Sequence, residues 1–369
     1  MIKEGKFGTF EAVCLTTLLL SSKAFYTSIR VLIKTTSTAA WYATLISCTC
    51  SIIMFMFVYL LMKRFPGKNL IEVFEAVTGK FIGKILSLVF CAYFIYYCGS
   101  NLREFLEMIK TYNLPYTPPS LILFAFLLAV IVLSYIGIEA IARLSLFSFV
   151  PIVIGVAAIL ILAFPLYNFN YLFPLGGFGL QPTLRQGLVR TSAYDEVVIL
   201  AIIINSVHGL KNFKKAGLIS LVLSGIIISI SVLCNILAFA YTQGSENLSD
   251  LFQLSRLIYF NRFFQRVDSL FLFIWVVASI ITVSTSFYIS ISIYCKAFRI
   301  DNHKPLIFPC AFLTFMVALI PENISETVEV NILFLREYSA IVVYFIPILV
   351  LIISVLFGKK GGKEKVEKA

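Results

Sequence analysis

The residues that could do chemistry in this chain are polar groups set inside long apolar runs. The first run reads Leu18-Leu19-Leu20-Ser21-Ser22-Lys23-Ala24-Phe25, with a lysine near its centre. A charge at the middle of a bilayer costs about 2.5–3.5 kcal/mol on insertion scales. Lys23 therefore either snorkels to an interface by tilting its helix, or sits where the helix is broken and its freed backbone lines a cavity. A second cluster, Arg190-Thr191-Ser192-Ala193-Tyr194-Asp195-Glu196-Val197, opens the second half of the chain in the same way. Its acids either flank a helix start at the interface or lie deep, and a deep Glu196 needs a cation. Pairing with Lys23 across the two halves is the expectation. Interruptions in corresponding helices of two halves point to a binding site at the midplane. The candidate ligand-binding residues are therefore Ser21, Ser22, Lys23, Thr191, Ser192, Tyr194 and Glu196.

A third set lies on the apolar run from Trp275 to Ser290. Ser and Thr commonly join membrane helices by hydrogen bonds, so packing explains most of its hydroxyls. Ser284 and Tyr288, spaced i, i+4, share a face and are chosen to line the same pocket. Tyr97, with Tyr93 and Tyr96, makes a similar case on the third helix. Phe345, just before Pro347, is a candidate gate.

The elements that must carry these residues follow from composition. Of 369 residues 60% are hydrophobic and only 13% charged, with a mean hydropathy of +0.95. Soluble domains carry about 25% charged residues. One spanning helix takes roughly 20 apolar residues, so the chain has room for about ten. The spans are placed near 10–33, 39–62, 81–101, 119–137, 144–165, 188–208, 216–240, 267–295, 305–320 and 338–357, with the third able to continue to Tyr112. The connection through Pro174, Gly176, Gly177 and Pro182 divides five spans from five: 1–165 and 166–358, followed by a basic, flexible tail at 359–369. The first apolar run is too long for a signal-peptide core and lacks a small-residue cleavage site, so it is expected to stay as a helix.

Charge sets the orientation. About two-thirds of the Lys and Arg fall in the terminal segments and alternate loops that an inward N-terminus would place in the cytoplasm. The opposite side keeps Arg103, Lys110, Arg185, Arg256 and Arg262, with Glu322, Glu326 and Glu329 among them. The positive-inside rule then puts both termini in the cytoplasm. The net charge of +11 is thus spread over loops and does not form a nucleic-acid-binding face. The eight Cys form no C-x-x-C, and two His supply no zinc pattern. A P-loop, G-x-S-x-G, H-E-x-x-H and a dinucleotide fingerprint are all absent from the sequence, so no enzyme, cofactor or metal is expected.

The run Asn101-Leu102-Arg103-Glu104-Phe105, followed by Leu114-Pro115-Tyr116-Thr117-Pro118, resembles the endospore germination permeases, the B subunits of nutrient germinant receptors. So do Gly137-Ile138-Glu139-Ala140-Ile141-Ala142-Arg143, Arg266-Val267-Asp268 before Phe273-Ile274-Trp275, Arg64-Phe65-Pro66-Gly67-Lys68-Asn69-Leu70, Gly79-Lys80 and Ala39-Ala40-Trp41. The likeness runs from about Phe7 to Phe357. It implies the amino acid–polyamine–organocation superfamily: an all-α membrane bundle of two inverted five-helix repeats with helices 1 and 6 unwound. It also implies the inner membrane of a bacterial spore, A and C subunits as partners, and a small nutrient as ligand, with an amino acid favoured by Lys23. An ion-coupled secondary transporter is the alternative. Two departures stand out: Ser21-Ser22-Lys23 replaces a Gly-rich break in helix 1, and Asn205-Ser206 stands where a proline is expected near the end of helix 6.

Overall fold

The computed structural model describes residues 4–259 and 267–361, and among these every regular element is a helix. The first crossing is broken. It consists of α1 (Thr9–Ser21), a 3-10 turn over Ser22–Phe25, and α2 (Ser28–Thr36). A tight turn at Ser37–Ala39 leads into α3 (Ala40–Arg64), the second crossing. A short helix, α4 (Leu70–Thr78), follows, with Asn69 and Glu72 forming a reciprocal cap. Then come α5 (Lys80–Tyr112), α6 (Pro119–Ile136) and α7 (Ile138–Leu162). The sixth crossing is broken like the first: α8 (Leu180–Val189), a 3-10 stretch over Arg190–Val198, and α9 (Ile199–Ile202).

The remaining elements are α10 (Leu210–Gly244), the short α11 (Asp250–Leu257), α12 (Val267–Phe298), α13 (Ile307–Leu319) and α14 (Ile324–Leu356), the last with π turns at Thr327–Ile332 and Ile341–Phe345. Seven helical stretches are long and apolar enough to cross a membrane, one of them running from α2 through α3. The two broken crossings and the shorter α13 complete ten among the described residues. The largest departure from an expected span is α14, which begins at Ile324 and not near 338, and the fifth, sixth and seventh crossings begin earlier than expected, at Ile138, Leu180 and Leu210. Its first turn is capped by Asn323, whose side chain accepts from the Glu326 N–H at 2.9 Å. The expected flexible tail is partly anchored: Lys359 Nζ bonds the Val77 carbonyl at 2.6 Å and the Gly361 N–H bonds the Arg64 carbonyl at 3.0 Å. Residues 362–369 lie outside the described residues.

Lipid as solvent explains which faces are which. Large apolar side chains such as Phe81, Phe124, Phe147, Phe308 and Phe312 point outward, while Lys23, Glu104, Asp195, Glu196 and Arg336 are buried. Burying Leu against lipid gains little, so close backbone approach must hold the helices together. Gly217 on α10 does this against α3, where an added Cβ would stand 2.1 Å from Phe55 Cζ. Filling a packed interface costs about 1–3 kcal/mol. G217A is expected to lower the thermal midpoint in detergent, whereas G176A, with open space around its Cα, leaves it unchanged.

Candidate functional site

Helix 1 stops at Phe25 because Tyr26 turns to an extended conformation (φ −106°, ψ −178°). The freed backbone groups are taken up by side chains from α5 and from the residue ahead of α11, and the Tyr26 side chain is held by α12. Ser249 Oγ donates to the Phe25 carbonyl at 2.9 Å. Glu104, on α5, accepts from the Thr27 N–H at 2.9 Å and also from the Thr27 hydroxyl. The Tyr26 hydroxyl meets Ser279 Oγ at 2.7 Å, and its ring packs edge-on against Trp275. The sixth crossing is supported likewise. Ser47 and Ser51 of α3 donate to the carbonyls of Gly187 and Thr191 at 2.8 and 3.0 Å, and the Tyr344 hydroxyl donates to the Tyr194 carbonyl at 3.1 Å.

Between the two breaks lies a buried ion pair, Lys23 Nζ to Glu196 Oε2. The side chains are only 3% and 0% exposed, so neither reaches water. The expected pairing across the halves is therefore present, and snorkelling is not the solution the chain adopts. A second cation stands behind it: Arg336 of α14 places Nη1 3.9 Å from the other Glu196 oxygen. Ser192 donates to the Arg336 carbonyl, and Ser339 bonds Asp195 at 2.5 Å. Three acids (Glu104, Asp195, Glu196) and three cations (Lys23, Arg190, Arg336) thus share one buried region.

The other sequence candidates divide. Thr191, Ser192 and Tyr194 belong to the broken segment beside the pair. Tyr97 lies beside Glu196 and Tyr93 near Asp195 and Ser339, while the Ser284 hydroxyl has no hydrogen-bond partner among the described residues. Ser21 and Ser22 turn their hydroxyls back to the carbonyls of Thr17 and Leu19, so they close their own helix. Tyr288 stands apart from the pair, with its ring 5.6 Å from His303 at the end of the bundle where Glu4 meets Lys296. Phe345 is half exposed and borders a lateral groove with Phe57 and Ile348; the buried aromatic of that turn is Tyr344. Sequence reasoning did not single out Arg336 or Ser339, and it met Glu104 only within a motif.

An all-helical bundle of ten crossings, its first and sixth opened around a buried ion pair, is a membrane protein of the inverted-repeat transporter fold. The solved structure of Mhp1, a nucleobase-cation-symport-1 family transporter in a closed conformation with bromovinylhydantoin bound, matches with a TM-score of 0.66 at 14% identity, over 90% of this chain and 75% of that one. A Na+-coupled sialic acid symporter in a substrate-bound outward-open state gives 0.63 at 14% identity, over 85% and 74%. At such identity the likeness is one of fold. Within that fold, the sequence profile described as "Spore germination protein" matches residues 7–327, and the chain belongs to this family. Spore germination protein KB of Bacillus subtilis (strain 168) is 24% identical over 339 residues, covering 89% of this chain and 90% of the relative. Spore germination protein YndE of the same organism is 25% identical over 346 residues, covering 89% and 90%. The relatives are germination proteins and the fold neighbours transporters, not enzymes.

Two predictions follow from the local electrostatics. Removing one member of a buried pair costs about 3–5 kcal/mol, because the other charge is left uncompensated. E196Q strands both Lys23 and Arg336, so it is expected to unfold at lower temperature than K23M, with K23M/E196Q recovering the part of the loss that comes from Lys23. The charge swap K23E/E196K is expected to rescue only in part, since it sets Lys at 196 beside Arg336; full rescue would remove Arg336 from the arrangement. Outside the crossings, burial of Asp250 at the start of α11 raises its carboxyl to about 7, with Asn235, Asn247 and Arg30 pulling it partly back. An unfolded Asp titrates near 3.9. The folded state therefore holds the proton more tightly, and stability falls as pH rises between about 4 and 7. D250N is expected to flatten that fall and to melt higher than the parent at pH 8.

Proposed function

We propose that this chain is a germinant receptor permease subunit that binds a small nutrient, preferentially an amino acid, between the two breaks and signals germination with partner subunits. The observation that carries the reading is the Lys23–Glu196 pair. Opening a buried pair costs several kcal/mol unless each charge finds a new partner. A zwitterion offers both: its carboxylate replaces Glu196 at Lys23 and its ammonium replaces Lys23 at Glu196. A sugar or nucleoside offers hydrogen bonds but no counter-charges, so the pair disfavours it. The hydroxyls of Tyr97, beside Glu196, and of Ser284 add neutral contacts, and the broken segment Thr191–Tyr194 adds backbone donors.

Membership of the spore germination family supports a receptor role, and the family resemblance implies A and C subunits and the spore inner membrane. The basic character of the end that carries the termini supports a cytoplasmic placement for both. The second reading, an ion-coupled transporter of amino acids or amines, has the symporter-like fold behind it. Binding acts as a signal only if the ligand prefers one conformation.

Germination of spores lacking this gene tests the reading, with amino acids, sugars and nucleosides as triggers and calcium–dipicolinate as the receptor-independent control. Loss of the amino acid response with the control intact is expected. Complementation with K23M/E196Q is expected to restore protein level but lower sensitivity to amino acids by tenfold or more. Amino acid uptake by the chain alone in vesicles, with germination unchanged, would move the conclusion to transport.

A further inference from the structure

Arg190 is a buried cation that the Lys23–Glu196 pair does not use. It is only 4% exposed, its Nε and Nη1 make no hydrogen bond, and no carboxylate of the described residues stands within ion-pair distance. Its nearest influences are the repelling Arg336 and the attracting Glu337. A buried guanidinium with idle donors is costly unless something supplies acceptors.

The surroundings show where acceptors would come from. Arg190 borders a cavity of about 390 Å³ between α2, α8 and α14, lined also by Arg30, Lys34, Gln186, Leu333, Glu329 and Glu337. On its other side it borders a small cavity shared with Lys23, Ser47 and Tyr194. Arg190 therefore stands between the polar outer cavity and the pair. Arg30 is already engaged, bonding the Ser245 carbonyl at 3.0 Å and lying 3.8 Å from Glu246. Lys34, Glu329 and Glu337 are exposed, which leaves Arg190 as the buried cation of the cavity with free donors.

We infer that Arg190 is the anchor of an outer subsite for a small monocarboxylate, separate from Lys23. A planar guanidinium meets a carboxylate through two parallel hydrogen bonds. The exposed Glu329 and Glu337 oppose a dianion such as sulfate, and they tolerate or welcome a ligand that carries an amine at its other end. The subsite stands on the geometry of Arg190 alone, so its test is independent of germination.

The test is thermal unfolding of the purified chain in lipid nanodiscs at fixed ionic strength, titrated with propionate, propylamine and sulfate. Propionate is expected to raise the midpoint saturably, and propylamine and sulfate are not. R190Q is expected to abolish the propionate shift, and R190K, which keeps the charge but loses the fork, to weaken it about tenfold. L333W fills the cavity while leaving Arg190 in place, and guards against misfolding of the Arg190 variants; it is expected to block the shift. K23M/E196Q is expected to keep it. A shift that survives R190Q, or that is lost in K23M/E196Q but kept in L333W, would overturn the subsite and place the carboxylate at the central pair. An equal response to sulfate would overturn the monocarboxylate assignment.

Discussion

Backbone that leaves the helical conformation at membrane depth has no water to satisfy it, and this constraint organises the whole bundle. The freed groups around Phe25 and Thr27 are met by Ser249 and Glu104, and those from Gly187 to Tyr194 by Ser47, Ser51 and Tyr344. The donors and acceptors come from α3, α5, α14 and the start of α11, so these elements cannot shift independently of the breaks. Small residues let the helices come close enough to deliver such short side chains. Gly217 and Gly225 on α10 admit Phe55 and Cys48 of α3, which brings Ser47 and Ser51 of that helix to the sixth crossing.

Charge obeys the same rule. Lys23 and Glu196 are each tolerable in the interior because the other is there, and Arg336 is tolerable because Glu196 has a second oxygen for it. Asp195 rests on Ser339, one turn along α14 from Arg336. The two breaks are thus joined to each other and to α14 through one glutamate. A change at any of these groups is felt at the others, which makes the cluster a coupled unit and not a set of separate contacts.

How much of this was legible depended on contrast with neighbouring residues. Lys23 and Glu196 stood out because each interrupts an apolar span, and their pairing followed from the cost of leaving either alone. Arg336 did not, because Glu322, Glu326 and Glu329 made the start of α14 read as a loop. The signal lay in the period of Val328, Ile332, Leu335 and Ser339, all buried on one face. Ser284 and Tyr288 share a face as their spacing requires, but four residues are about 6 Å of helix rise. That rise carries Tyr288 away from the breaks to His303. The Ser21 and Ser22 hydroxyls could not be read at all, since a serine in a helix can bond its own preceding carbonyl as readily as a ligand.

The two ends of the bundle differ in the contacts that hold them. At the end carrying the termini, Glu4 meets Lys296 at 2.8 Å and Ser292 at 2.5 Å, Lys296 bonds the Ile202 carbonyl at 2.7 Å, and the Phe7 N–H bonds the Ser206 carbonyl at 3.0 Å. These contacts tie the chain ahead of α1 to the end of the sixth crossing and to α12. The opposite end instead holds the polar cavity at Arg190. A ligand moves an equilibrium only by its differential affinity for the two states. Any alternative state that opens the terminal end must give up the Glu4–Lys296 contacts, while α1 and the 3-10 stretch of the sixth crossing connect that end directly to Lys23 and Glu196. The Lys23–Glu196 pair and the terminal contacts of Glu4 and Phe7 therefore restrain the same two segments, the broken first and sixth crossings.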